Sequence, residues 1–146
     1  MNRTIIINQI IPQNKSIKVN FQLELTAEER QKSRQIIESE NLIINLQLSR
    51  GTVLKQGDYI SNEDQDFIIE IIAKPELIIT VNSEDQLSLM KAAYHLGNRH
   101  IPLEIKPNYL RLLPDPVLTS MLLKLGLEIK EETAPFSPEI GAYHNH

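Results

Sequence analysis

No cysteine occurs anywhere in the 146 residues. That one absence removes disulfides, thiolate metal sites, iron–sulfur clusters and cysteine nucleophiles together, so any metal must sit on histidine, carboxylate or backbone oxygen. Tryptophan is absent too, and only 5% of residues are aromatic, so the interior has to be built from Ile, Leu and Val. No apolar run approaches the roughly 18 residues that cross a bilayer. The run at residues 4–7 is cut by Asn8 and Gln9 well short of a signal-peptide core. A soluble cytoplasmic protein without a membrane partner is the expectation. Positive charge is also short: the formal net charge is −4, and the phosphate-neutralising surface that supplies most nucleic-acid affinity has no source here. The sequence lacks Gly-x-Ser-x-Gly, Gly-x-x-x-x-Gly-Lys and Gly-x-Gly-x-x-Gly, which removes the common serine-hydrolase, nucleoside-triphosphate and dinucleotide readings.

What is present reads as two parts. Residues 4–11 and 16–25 are expected as strands, the second because Ile17, Val19, Phe21, Leu23 and Leu25 alternate with polar residues. Thr26-Ala27-Glu28-Glu29 forms a capping-box pattern for one short helical turn. Leu42, Ile44, Leu46 and Leu48 alternate again, and residues 67–72 close an all-β domain over 1–73. Pro75 marks the change of pattern. Beyond it, Leu77, Ile79 and Val81 form a strand, and Ser83 with Gln86 suggests an N-cap and capping box. Leu87, Met90, Ala93 and Tyr94 recur at helical spacing, with Gly97 at the expected helix end. Residues 101–105 and 109–113 follow as strands, Asp115-Pro116 opens a second helix that Gly126 ends, and residues 127–130 make a last short strand. The order β-α-β-β-α-β over 74–132 is ferredoxin-like, the fold class is α+β, and 133–146 is expected as an irregular, flexible C-terminal tail.

All four histidines, His95, His100, His144 and His146, lie in the second half. His95 falls on the side of its helix away from the Leu87 and Met90 stripe, either as a cation near a helix C-terminus or as a ligand. In a strand whose apolar side is Ile101, Leu103 and Ile105, His100 points outward with Pro102 and Glu104. It suits Ni, Cu or Zn, yet one imidazole per chain does not complete a site, whereas a second chain supplies another. His144 and His146 end the chain as His-Asn-His, either a solvated tail or an auxiliary ligand pair. An acid–base pair of His95 and His100 would lack a nucleophile.

Tyr94-His95-Leu96-Gly97-Asn98-Arg99-His100-Ile101-Pro102-Leu103 closely resembles the signature of UreE urease accessory proteins. Residues 30–34 with 48–58, and Ala134-Pro135-Phe136-Ser137-Pro138-Glu139-Ile140-Gly141-Ala142-Tyr143, agree with the same family in the same order. The resemblance implies an N-terminal domain similar to the peptide-binding domain of Hsp40 chaperones and a ferredoxin-like metal-binding and dimerisation domain. It implies a non-enzymatic homodimer in which His100 and its symmetry mate share one Ni2+, with Zn2+ or Cu2+ able to substitute. The implied role is nickel delivery in urease maturation, with the urease accessory GTPase and the urease apoprotein complex as partners. An alternative is a peptide-binding adaptor in which metal only tunes dimerisation. Some members carry histidines on both sides of the aspartate that opens the second helix. This chain has Pro114 and Pro116 there, and its tail holds only His144 and His146.

Overall fold

A computed structural model describes residues 3–140. They form two compact units, one ending at Ala73 and the other beginning at Lys74.

The first unit contains β1 (Arg3–Ile7), β2 (Gln9–Ile11), β3 (Phe21–Leu25), α1 (Ala27–Arg30), β4 (Arg34–Ser39), β5 (Leu42–Gln47), β6 (Tyr59–Ser61) and β7 (Ile68–Ala73). Its sheets run β1-β5-β4 and β2-β6-β7-β3. The inward residues of both, among them Ile5, Ile7, Leu23, Leu25, Ile44, Leu46, Ile60, Ile69 and Ile71, share one core. Each such side chain contributes about 1.5–3 kcal/mol by leaving water. The single strand expected over residues 4–11 is two strands in different sheets. Asn8 makes the switch, its amide donating to the Ser61 carbonyl at 3.1 Å. The strand expected from residue 16 begins only at Phe21. The Asn14 side chain captures the Ser16 amide and hydroxyl at 2.9 and 2.7 Å, a local turn that outcompetes pairing despite the alternation. The helical turn α1 carries the expected capping box, with Thr26 and Glu29 satisfying each other's amides.

The second unit contains β8 (Pro75–Asn82), α2 (Gln86–Asn98), β9 (Glu104–Ile105), β10 (Tyr109–Leu112), α3 (Pro116–Lys124) and β11 (Glu128–Pro135). The sheet order β11-β8-β10-β9, antiparallel throughout, is that of a ferredoxin-like domain. Its core joins Ile79, Val81, Leu110 and Leu112 from the sheet to Leu89, Ala92, Leu96, Leu118 and Leu122 from the helices. The whole is an α+β protein with a β-rich N-terminal part. Among the described residues no helix is long and apolar enough to cross a membrane.

Three expectations for this unit change. Asp85, not Ser83, caps α2, accepting from the Leu87 amide at 3.2 Å. The core face of α2 is Leu89, Ala92 and Leu96, while Leu87, Met90 and Tyr94 lie 53%, 63% and 66% exposed. Both rows have helical spacing, so periodicity alone does not choose between them. The last strand is not short: β11 pairs with β8 as far as Pro135 opposite Pro75, and Phe136 beyond it is fully buried, so the irregular segment starts later than residue 133.

Candidate metal centre

Helices α2 and α3 end in the same way, with one difference. In α3 the Gly126 amide donates to the Leu123 carbonyl at 3.0 Å and the Leu127 amide to Leu122 at 3.2 Å, and Gly126 takes φ +84°. In α2 the His100 amide donates to Gly97 at 3.0 Å and the Ile101 amide to Leu96 at 3.2 Å. Both are Schellman motifs, whose C′ residue must adopt the left-handed conformation. Glycine fills that place in α3, and His100, at φ +57°, fills it in α2. Gly97, expected to end the helix, lies inside it. A side chain with a Cβ in this conformation costs roughly 1 kcal/mol relative to glycine.

His100 therefore stands in a helix-ending turn and not at the head of a strand. Only Glu104–Ile105 pairs as β9, and the Schellman turn takes up the residues before it. The imidazole is solvent-exposed, as expected, though for this different reason. It extends past the carbonyl end of a 13-residue helix, where the macrodipole favours a cation. His95 sits half-buried on the same helix, edge-on to Tyr94 at 5.5 Å between ring centres, and its carbonyl accepts from the Arg99 guanidinium at 3.1 Å. Among the described residues no three His, Cys, Asp or Glu side chains come together to hold an ion. His144 and His146 lie outside the described residues. Pro114 and Pro116 flank Asp115, which caps α3 by accepting from the Val117 and Leu118 amides at 2.9 and 3.1 Å.

The alternation expected after His100 also breaks down. Ile105 is exposed, whereas Glu104 is only 4% exposed. Glu104 accepts from the Ser137 amide at 2.8 Å and lies 3.7 Å from Arg111. Arg111 stacks on the Tyr109 ring at 4.5 Å, donates to the Thr80 hydroxyl at 3.1 Å and lies 3.7 Å from Glu132. The Thr80 hydroxyl in turn donates to Glu132. That bond, with Lys130 and Arg111 nearby, holds the Glu132 carboxyl below its usual pKa against the opposing effect of burial. The residue pattern did not expose this network, but the turn did carry a signal. Counting outward from Pro107-Asn108, Glu104 falls opposite Arg111, and the two do pair across β9 and β10.

Two family models cover the chain: the N-terminal domain of UreE urease accessory protein over residues 7–73 and its C-terminal domain over 76–146. A protein from Nostoc punctiforme named urease accessory protein UreE is 52% identical over 94% of each chain. One of the same name from another Nostoc strain is 49% identical over 96% of each. A third, from Microcystis aeruginosa, is 54% identical over 88% of this chain and 81% of its own. These matches span both units and the turn that carries His100, and the chain belongs to the UreE family of urease accessory proteins.

Proposed function

We propose that the protein is a homodimeric nickel carrier, not an enzyme, in which the His100 side chains of two copies hold one Ni2+ across a two-fold axis and pass it on for urease metallocentre assembly. The observation that carries this reading is His100 itself, an exposed imidazole on a left-handed backbone where the matching turn of α3 uses glycine. Glu40 and Gln65 share this left-handed backbone, but of the three only His100 carries an imidazole, the side chain suited to nickel. A two-fold axis presents the same side chain twice, which turns one ligand per chain into a pair. The exposed row Leu87, Met90 and Tyr94, on the helix that leads into His100, is the kind of apolar surface a second copy would cover. Few protein ligands leave coordination positions open, and through them an acceptor can draw the ion away. The accessory GTPase and the urease apoprotein complex in the cytoplasm are the proposed acceptors. Zn2+ and Cu2+ are competitors for imidazole. His144 and His146 supplement the central pair, and His95 is peripheral to it.

Nickel titration by calorimetry tests the proposal, with circular dichroism to confirm folding. His100→Ala removes two ligands from each dimer and should abolish high-affinity binding, while His95→Ala should leave most of it. Parent-like nickel binding by folded His100→Ala would overturn the reading.

A second reading, a peptide-binding adaptor, draws support from the first unit. Ile6, Asn45 and Ile36 are in register across the outer face of β1-β5-β4, and both isoleucines are exposed. Deleting residues 1–73 separates the two. Transfer of nickel by the remaining domain favours the carrier; retained binding with transfer lost favours the adaptor.

A further inference from the structure

In the three-stranded sheet of the first unit, β4 pairs only with β5, so its other edge is open. The Leu48 amide donates to the Ser33 carbonyl at 3.0 Å, which makes these two a hydrogen-bonded pair continuing the antiparallel register. Such pairs alternate along a ladder, so Ser33, Gln35, Ile37 and Ser39 turn their backbone groups toward β5. Arg34, Ile36 and Glu38 turn theirs to the open edge. The side chains alternate as well. Ile37 packs against the core of the unit, while Arg34, Ile36 and Glu38 are exposed, Ile36 by 68%. The edge therefore offers a cation and an anion placed equally to either side of an isoleucine. Among the described residues neither charge is in an ion pair. Lys32 and Glu40, just outside the strand and also exposed, extend the same order outward.

We propose that this edge takes the β4 strand of a second copy, antiparallel, with Ile36 on the two-fold axis. In that register Ile36 meets the partner's Ile36, Arg34 meets the partner's Glu38, and Glu38 meets the partner's Arg34. All three are residues whose amides and carbonyls face the edge, so each pair exchanges both of its ladder bonds. Lys32 comes opposite the partner's Glu40 in turn. Moving the axis to position 34 sets Arg34 against the partner's Arg34, and moving it to 38 sets Glu38 against the partner's Glu38, like charges that destabilise a pair. An axis at 35 or 37 leaves Ile36 opposite the partner's Arg34 or the partner's Glu38. Charges on an edge strand ordinarily hold strands apart. Here their opposite signs, symmetric about Ile36, make β4 complementary to itself. The outer-face row Ile6, Asn45 and Ile36 then continues across the axis into its symmetry copy. The contact needs no nickel and lies in a different unit from the His100 turn. Two separate two-fold contacts on one chain build a tetramer or a longer assembly, where the carrier dimer alone stops at two copies.

The experiment uses the full chain in chelator, with sedimentation equilibrium to give the association constant and circular dichroism to confirm folding. Every variant is made in the parent and in a Met90→Lys background, which charges the exposed α2 row, so a result on β4 stands whether or not α2 also makes a contact. Arg34→Glu and Glu38→Arg each set two like-charge pairs across the axis, and each should lower the constant at least tenfold. An equimolar mixture of the two variants should recover parent-like association, because each chain then offers the other what it lost. The double swap Arg34→Glu/Glu38→Arg should recover it alone. Ile36→Pro removes only an amide that faces the open edge, so it should keep the fold and break the association. Association unchanged in both single variants, or lost in them and not recovered in the mixture, would overturn the proposal. So would a parent that never exceeds the mass of Ile36→Pro, a result that leaves the edge to a strand of another protein.

Discussion

His100 sets stability against function at a single backbone position. Because the left-handed conformation favours glycine, His100→Gly should raise the stability of the metal-free protein by up to about 1 kcal/mol, roughly 4–8 °C in Tm for a domain of this size. The same change should abolish nickel binding. His100→Ala keeps the strained backbone and should lose the metal without the gain. Thermal melts in chelator, paired with calorimetry, check both; a His100→Gly protein less stable than the parent would show that the imidazole makes contacts that outweigh the strain. Glu132 yields a second residue-scale expectation, with its sign fixed by direction. The folded state holds this carboxyl below its usual pKa, so the unfolded chain takes up the proton more readily. Its stabilising contribution is therefore present above the ordinary glutamate range, about 4.3, and is lost as pH falls below it. Urea midpoints measured from pH 6 to pH 3 should fall less steeply in Glu132→Gln than in the parent.

At the level of elements, the sequence conveyed which segments were helices more reliably than which way they faced. Asp115-Pro116 and Gly126 mark α3 from both ends because each supplies a backbone requirement of its own. On α2, two apolar rows share the helical period, and only the packing of Leu89, Ala92 and Leu96 against the sheet decides between them. The same limitation hid the turn at His100. A helix-ending motif that usually takes glycine took histidine here, while Gly97 stood three residues early as a decoy. The candidate ligand was legible as a residue, but its backbone setting was not, nor was the contact of Glu104 with the Ser137 amide, which joins residues 33 apart in the chain. The exposed row on α2 remains without a partner inside the described chain, and it carries the element-scale prediction. Met90→Lys places a charge in the middle of a surface proposed to be dry in the dimer. Dimer dissociation should rise at least tenfold, about 1.4 kcal/mol, by sedimentation or light scattering, with circular dichroism unchanged. An unaltered association constant would place the dimer contact elsewhere.

For the whole molecule, the division into two units with separate cores predicts where the metal is felt. A ligand that binds only the folded state stabilises by RT ln(1 + [L]/Kd), about 2.7 kcal/mol when free ligand is a hundredfold above Kd. In the proposed carrier that energy belongs to the unit holding α2 and its His100 turn, because no histidine lies before residue 95. Amide exchange with and without excess Ni2+ should therefore show added protection over residues 86–105 and in the α2 row that a second copy covers. Strands β1 to β7 should exchange at unchanged rates. Acidification should reverse the effect, since an imidazole has to be free of its proton to ligate. Protection spread equally through β1 to β7 would mean that the ion couples the two units. The adaptor reading would then gain, because a metal that stiffens the first unit is positioned to change what the exposed Ile6 and Ile36 face engages.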